Sequence, residues 1–147
     1  MRLLPCVRRC VGFAAIVLAI AQLGFGAPVA AQPGQSIIPH LQQHFGLSEG
    51  QVRGALGALL VYARERLPLP EFNDLAERIP NAGQIMQDVK LRGIVTKPLD
   101  TVEDYEESLA SLRMGQPLAS QFAPAVLQYV GDAGWERERD ILASVLD

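Results

Sequence analysis

The sequence predicts an all-α protein: a small single-domain helical bundle of five to seven short helices, preceded by an N-terminal signal peptide. Three observations carry this. Apolar residues recur at three- and four-residue steps along most of the chain, which puts them on helical stripes. Ser, Thr, Gly and Pro stand at the ends of those stripes, where helices start and stop. No stretch alternates apolar and polar residues with period two, so a sheet has no strands to build from.

The chain opens with Arg2, Arg8 and Arg9, then the apolar run Val11–Leu23, then small residues at Val29, Ala30 and Ala31. That order is a cleaved secretory signal peptide over residues 1–31. The apolar run is shorter than the roughly 18–20 residues a spanning helix needs, which disfavours an uncleaved anchor. Neither Cys6 nor Cys10 follows the run, so a lipid-modified cysteine is not expected. Cleavage after Ala31 leaves 116 of the 147 residues, enough for one domain with one core.

Cleavage takes 3 of the 13 basic side chains and none of the 16 acidic ones, so the mature part carries a formal charge of −6. An acidic chain repels phosphate backbones, which excludes nucleic acid as a partner on electrostatic grounds. Both cysteines leave with the leader, so no disulfide, thiol catalysis or cysteine metal site is expected in the exported domain. Its expected location is the periplasm or the extracellular space. Membrane contact is expected only through the leader.

Residues 32–35 form a polar, flexible leader, and 36–147 the helical domain. Ser36 caps a first helix to Phe45, with Pro39 in its first turn and Gly46 as its stop. Ser48 and Gln51 have capping-box spacing at the start of a helix over Glu49–Arg66. Its apolar stripe is Val52, Leu56, Leu59, Leu60, Ala63 and Leu67. Gly54, Ala55, Gly57 and Ala58 add a small-residue face suited to close approach of another helix. Leu67-Pro68-Leu69-Pro70 breaks the pattern. A third helix covers Glu71–Ile79 and a fourth Gln84–Leu91, with Arg92–Pro98 as a loop.

Asp100 or Thr101 caps a fifth helix running to Met114. A short helical turn over Leu118–Phe122 follows. Pro124 opens a separate helix to Val130, because inside a helix it would remove a hydrogen bond and clash. Gly131–Gly134 is a turn, and Trp135–Leu146 is the last helix.

Two blocks carry a resemblance. LSEGQVRGALGALLVYARERLPLPEFNDLAERIP, from Leu47 to Pro80, joins a small-residue helix to a Phe-centred helix ending in Ile-Pro. The tail places QFAPAVLQYV, from Gln121 to Val130, before a glycine turn and a terminal ILASVL, from Ile141 to Leu146. These blocks resemble short exported bacterial proteins of unknown function, the VcgC/VcgE type. The chain departs from that pattern at Lys90–Pro98 and the acidic helix, where the family has a glycine-rich linker. The resemblance implies a secreted helical domain and supplies no catalytic residue.

Candidate chemistry is sparse. His40 and His44, spaced i, i+4, would stack on one helix face and are the only candidates for a metal. Leu41 stands where a metalloprotease has its glutamate, and a third ligand is missing, so no metal and no cofactor are expected. Asp100, Glu103, Asp104, Glu106 and Glu107 cluster at a helix N-terminus, where carboxylates favour the positive end of the dipole. The serines lack a nucleophile-elbow setting, and no phosphate-cradling glycine loop appears. The aromatic residues fall on apolar stripes and read as core.

The leading expectation is therefore a non-catalytic binding or interaction module of the cell envelope. Its partner would be an envelope protein or a second copy of itself. The expected packing or binding face is Gly54, Gly57, Ala58, Leu56, Leu60, Phe72, Phe122 and Val126, in a groove between the second helix and the tail helices. The alternative is a carrier holding a small apolar ligand in a cavity among Leu56, Leu60, Phe72, Phe122 and Val126. A carboxylate-dependent enzyme built on the acidic helix is the weaker alternative.

Overall fold

The computed structural model describes residues 36–146. The signal peptide and leader expected over 1–35 lie outside the described residues, as does Asp147. Among the described residues there are seven helices and no strand: α1 (Ile37–Phe45), α2 (Glu49–Arg66), α3 (Leu69–Glu77), α4 (Ala82–Leu91), α5 (Val102–Ala110), α6 (Gln116–Asp132) and α7 (Glu136–Leu146).

Helix α2 is the axis of the bundle, contacted by α1, α3, α4, α5 and α7. Every residue from Gly54 through Ala63 is buried, along with Val52. A helix apolar all round its middle is a core helix, not a surface one. The small residues permit this, since Gly57 brings α2 up to the backbone of α4. Helix α6 closes the other side, packing on α1, α5 and α7.

Local sequence explains most boundaries. Ser48 Oγ accepts from the Gln51 N–H at 3.3 Å, and Gln51 Oε1 accepts from the Ser48 N–H at 3.1 Å. Thr101 and Asp104 form the same reciprocal box at the start of α5, so Thr101 and not Asp100 is the cap. Gly46 ends α1 at φ 65°, a left-handed position glycine takes without a Cβ penalty.

Three expectations change. Pro124 does not start a helix: α6 runs through it from Gln116 to Asp132, joining the two expected pieces. Pro124 is exposed, so water reaches the carbonyl its ring leaves unpaired, while Phe122, Ala123 and Val126 stay buried beside it. Helix α5 stops at Ala110, four residues before Met114, and the chain reverses through Arg113 at φ 59°. Helices α3 and α4 each start two residues earlier than expected, because Pro70 is accommodated in the first turn of α3 and Asn81 takes a left-handed φ of 61° ahead of α4.

The segment 92–101 is irregular but anchored. Ile94, Val95 and Leu99 are buried, and the Leu99 N–H donates to Glu65 Oε2 at 2.9 Å. No described helix is long and apolar enough to cross a membrane.

Candidate functional site

The residues expected to form a packing or binding face are all inside the protein. Leu56 and Phe122 have no exposed surface, and Leu60, Phe72, Val126 and Ala58 are buried with them. Gly54 faces Leu112 and Ile94, and Gly57 faces Ile85 and Val89. The groove expected beside the tail helices is filled by α4 and by the turn after α5, so this face packs the protein against itself. None of the surface depressions described below is lined by Leu56, Leu60, Phe72, Phe122 or Val126.

His40 and His44 do stack on one face of α1, with ring centroids 6.3 Å apart and planes 12° from parallel. His44 is exposed and His40 is half-buried. His40 lies 4.9 Å from the Tyr129 ring, and His44 meets Phe45 edge-on. Phe45 continues the row to Phe122 at 5.7 Å. The pair thus forms the outer end of an aromatic seam between α1 and α6. Among the described residues no group of three His, Cys, Asp or Glu side chains could hold a metal ion.

The acidic helix is organised by one cation. Lys97 Nζ lies 2.7 Å from Asp104 and 3.0 Å from Glu107. The hydrogen bond from Lys97, with that from Thr101, holds the Asp104 carboxyl below the usual aspartate range, while Asp104 and Glu107 raise the lysine. An adjacent depression of about 380 Å³ lies among Ile94, Thr96, Ser108 and Ser111. Its carboxylates are committed to the lysine and the helix cap.

A second charged cluster ties α3 to α7. Arg78 Nε donates to Glu138 Oε1 at 2.9 Å, and Arg137 pairs with Asp74 at 2.9 Å. Arg78 also lies 5.7 Å from the Trp135 ring centroid. Burial pushes the Glu138 carboxyl up, but the hydrogen bond from Arg78, a backbone hydrogen bond and the charges of Arg78 and Arg137 together outweigh it, so the group titrates below the usual glutamate range.

The surface feature with the most binding character is a valley between α2 and α4. The two helices are antiparallel, with Gly54 beside Ile94 at one end and Gly57 beside Val89 and Ile85 further along. Val61, Arg64 and Glu65 lie at i, i+3 and i+4 on α2; Gly83, Met86, Gln87 and Lys90 lie at i, i+3, i+4 and i+7 on α4. Together they line a depression of about 320 Å³. Val61, Met86 and the bare backbone of Gly83 supply an apolar floor, and a Cβ added at Gly83 would meet nothing within 4 Å.

Arg64 and Lys90 rim the valley. Arg64 lies 5.5 Å from the Phe72 ring centroid, and neither cation has a carboxylate partner among the described residues. The sequence reading missed this site. The signal available was the run 83, 86, 87, 90 on one face of α4; what hid it was that Met86 reads as core by type.

The family model for "Protein of unknown function VcgC/VcgE (DUF2780)" matches residues 20–146. The chain belongs to this family. The match spans both blocks that carry the resemblance and also the central segment between them, so the family covers the whole described domain. No curated protein and no solved structure matches the chain.

Proposed function

We propose that this domain is a non-catalytic interaction module of the cell envelope that seats a helix of a partner protein in the α2–α4 valley. The observation that carries the reading is the pairing of an apolar floor with two cations that have no carboxylate of their own. Gly83 to Lys90 is seven residues, about 10 Å at 1.5 Å per residue, or two turns of a docked helix. A helix laid in a groove reads out through anchors at i, i+3 or i+4. The matching partner carries two such apolar anchors, one over Gly83 and one over Met86, with acidic residues at the flanks to meet Arg64 and Lys90.

The envelope location is part of this proposal and rests on the arginine-led apolar start of the chain. The reading assigns no cofactor and no catalytic residue.

A photo-crosslinking amino acid placed at Met86, in cells that express the chain natively, tests it. The expected result is one discrete protein adduct that is lost when Lys90→Glu or Gly83→Leu is added, and is absent when the crosslinker is at exposed Gln121 on α6. An adduct with a second copy of the chain is the homodimer form of the same reading. Recovery of a stoichiometric small molecule and no protein overturns it in favour of a carrier.

A further inference from the structure

We propose that the end of the bundle carrying Lys90, Leu91 and Arg92 docks on an anionic phospholipid surface, with Leu91 entering the interface and the cations meeting lipid phosphates. This goes beyond the protein-partner reading and shares only Lys90 with it; Leu91 and Arg92 lie outside the valley lining and tell the two apart. Leu91 is the most exposed large apolar residue of the described chain, at 85 %. It is held there by structure. It is the last residue of α4; the chain then reverses at Gly93, φ 67°, and the Ile94 N–H bonds back to the Val89 carbonyl at 2.9 Å. Ile94 and Val95 go inside, so Leu91 is left on the outer side of a fixed helix end.

Charge is segregated at the same place. Arg92 Nη1 donates to the Gly50 carbonyl at 3.4 Å, and Gln51 Nε2 to the Leu112 carbonyl at 3.0 Å, which brings Arg113 to this end of α2 as well. Lys90, Arg92 and Arg113 have no carboxylate partner among the described residues, as is true of Arg64 and Arg66 at the other end of α2, whereas Arg53, Arg78, Lys97, Arg137 and Arg139 each have at least one. The acids nearby, Glu49 and Asp88, both face Arg53, at 3.7 and 3.6 Å. An acidic chain thus presents a basic tip around a projecting leucine.

The shape selects the occupant. Leu91 projects between two depressions without lining either: Lys90 borders the α2–α4 valley and Gly93 the depression beside Lys97. A lipid surface deforms around a knob, and long cationic side chains keep their heads at phosphate level while their stems follow the apolar residue. Each cation near such a surface contributes roughly a fivefold factor in partition, screened by salt.

The test uses the full chain as Leu91→Trp, with vesicles whose acyl chains are brominated to quench inserted indole. Native Trp135 supplies the background, measured in the unsubstituted protein. The expected result is quenching of the new indole by equal parts phosphatidylglycerol and phosphatidylcholine, but not by phosphatidylcholine alone. Quenching should fall at least tenfold in vesicle affinity with Lys90→Glu and Arg92→Glu added, and in about 1 M salt, where the screening length is about 3 Å. The readout is local to position 91, so attachment of the leader to the vesicle does not mimic it. No quenching beyond the Trp135 background, equal quenching by both vesicle types, or protection of Leu91 by an acidic protein instead of lipid overturns the proposal.

Discussion

Gly57 on α2 stands directly against Val89 on α4: a Cβ built on the glycine would lie 2.5 Å from Val89 Cγ1 and 2.9 Å from the Ile85 carbonyl oxygen. The carbonyl belongs to the α4 backbone and cannot swing away. Gly57→Ala gains about 1 kcal/mol of helix propensity but forces the two helices apart, and overpacking of this kind costs typically 1–3 kcal/mol. The expected net is destabilisation of about 1 kcal/mol or more in urea unfolding. Gly54 is the contrast. Its Cβ would meet the two terminal methyls of Leu112 at 2.8 Å, the far end of a flexible side chain, so Gly54→Ala is expected to fall within about 0.5 kcal/mol of the parent. Equal losses at both positions would mean that the close approach of α2 to α4 is not what the glycines serve.

Tyr105 and Tyr62 stack in the core with ring centroids 6.0 Å apart, but only one hydroxyl is satisfied. Tyr62 Oη donates to the Val145 carbonyl at 3.2 Å and so fastens the end of α7 to the central helix. Tyr105 Oη is buried with no hydrogen-bond partner among the described residues, and burial pushes its phenol pKa far up, so it stays neutral. Removing an unsatisfied buried hydroxyl while keeping the ring recovers its desolvation cost. Tyr105→Phe is expected to stabilise by about 1 kcal/mol, and Tyr62→Phe to destabilise by about the same amount. Thermal melts of the two variants moving in opposite directions check this.

Pro124 marks where sequence rules and the fold part company. Its ring removes one helical hydrogen bond, a cost of about 3 kcal/mol in an ordinary helix interior, and on that ground the sequence divides the segment. The helix survives because Phe122 and Val126, two residues to either side, are buried with at most 1 % exposure and would both be lost by a break. Pro124→Ala is therefore expected to stabilise by about 1–3 kcal/mol, with helical circular dichroism unchanged or slightly raised. A loss of stability would mean the proline sets a bend that the α1–α6 seam needs.

The same contrast governs what else was legible. Helix type and order, the two capping boxes and the family are local features, written in short runs such as Ser48–Gln51 and Thr101–Asp104. The central position of α2 is not local. Gly54, Ala55, Gly57 and Ala58 beside the apolar stripe announce the close approach of another helix, but only the arrival of α4 at Gly57 shows which one. The valley is non-local for the same reason: Val61, Met86 and Lys90 become neighbours through antiparallel packing, which no spacing within α2 or α4 encodes. Leu91 is one apolar residue in a polar neighbourhood, and its exposure is decided by the left-handed turn at Gly93 after it.

Arg78 and Glu138 give the fold a defined response to acid. Glu138 is buried and its carboxyl is held below the usual glutamate range, against the burial that alone would raise it. Asp104 is likewise depressed by Lys97 and by its cap to Thr101. A carboxyl depressed in the folded state adds stability that is present above its unfolded value of about 4, and is lost as pH falls through the folded value. The domain is thus expected to hold a constant melting temperature from about pH 7 to pH 5 and to lose stability below about pH 4. Glu138→Gln should flatten part of that acid limb. Arg78→Met should cost more at neutral pH than at pH 3, because it leaves a buried carboxylate without its cation. The expected cost is about 1 kcal/mol, below the 3–5 of a fully buried pair, since the Arg78 side chain is half exposed. A melting temperature that falls equally at both pH values for Arg78→Met would show that the arginine acts through its packing on Trp135 and not through its charge.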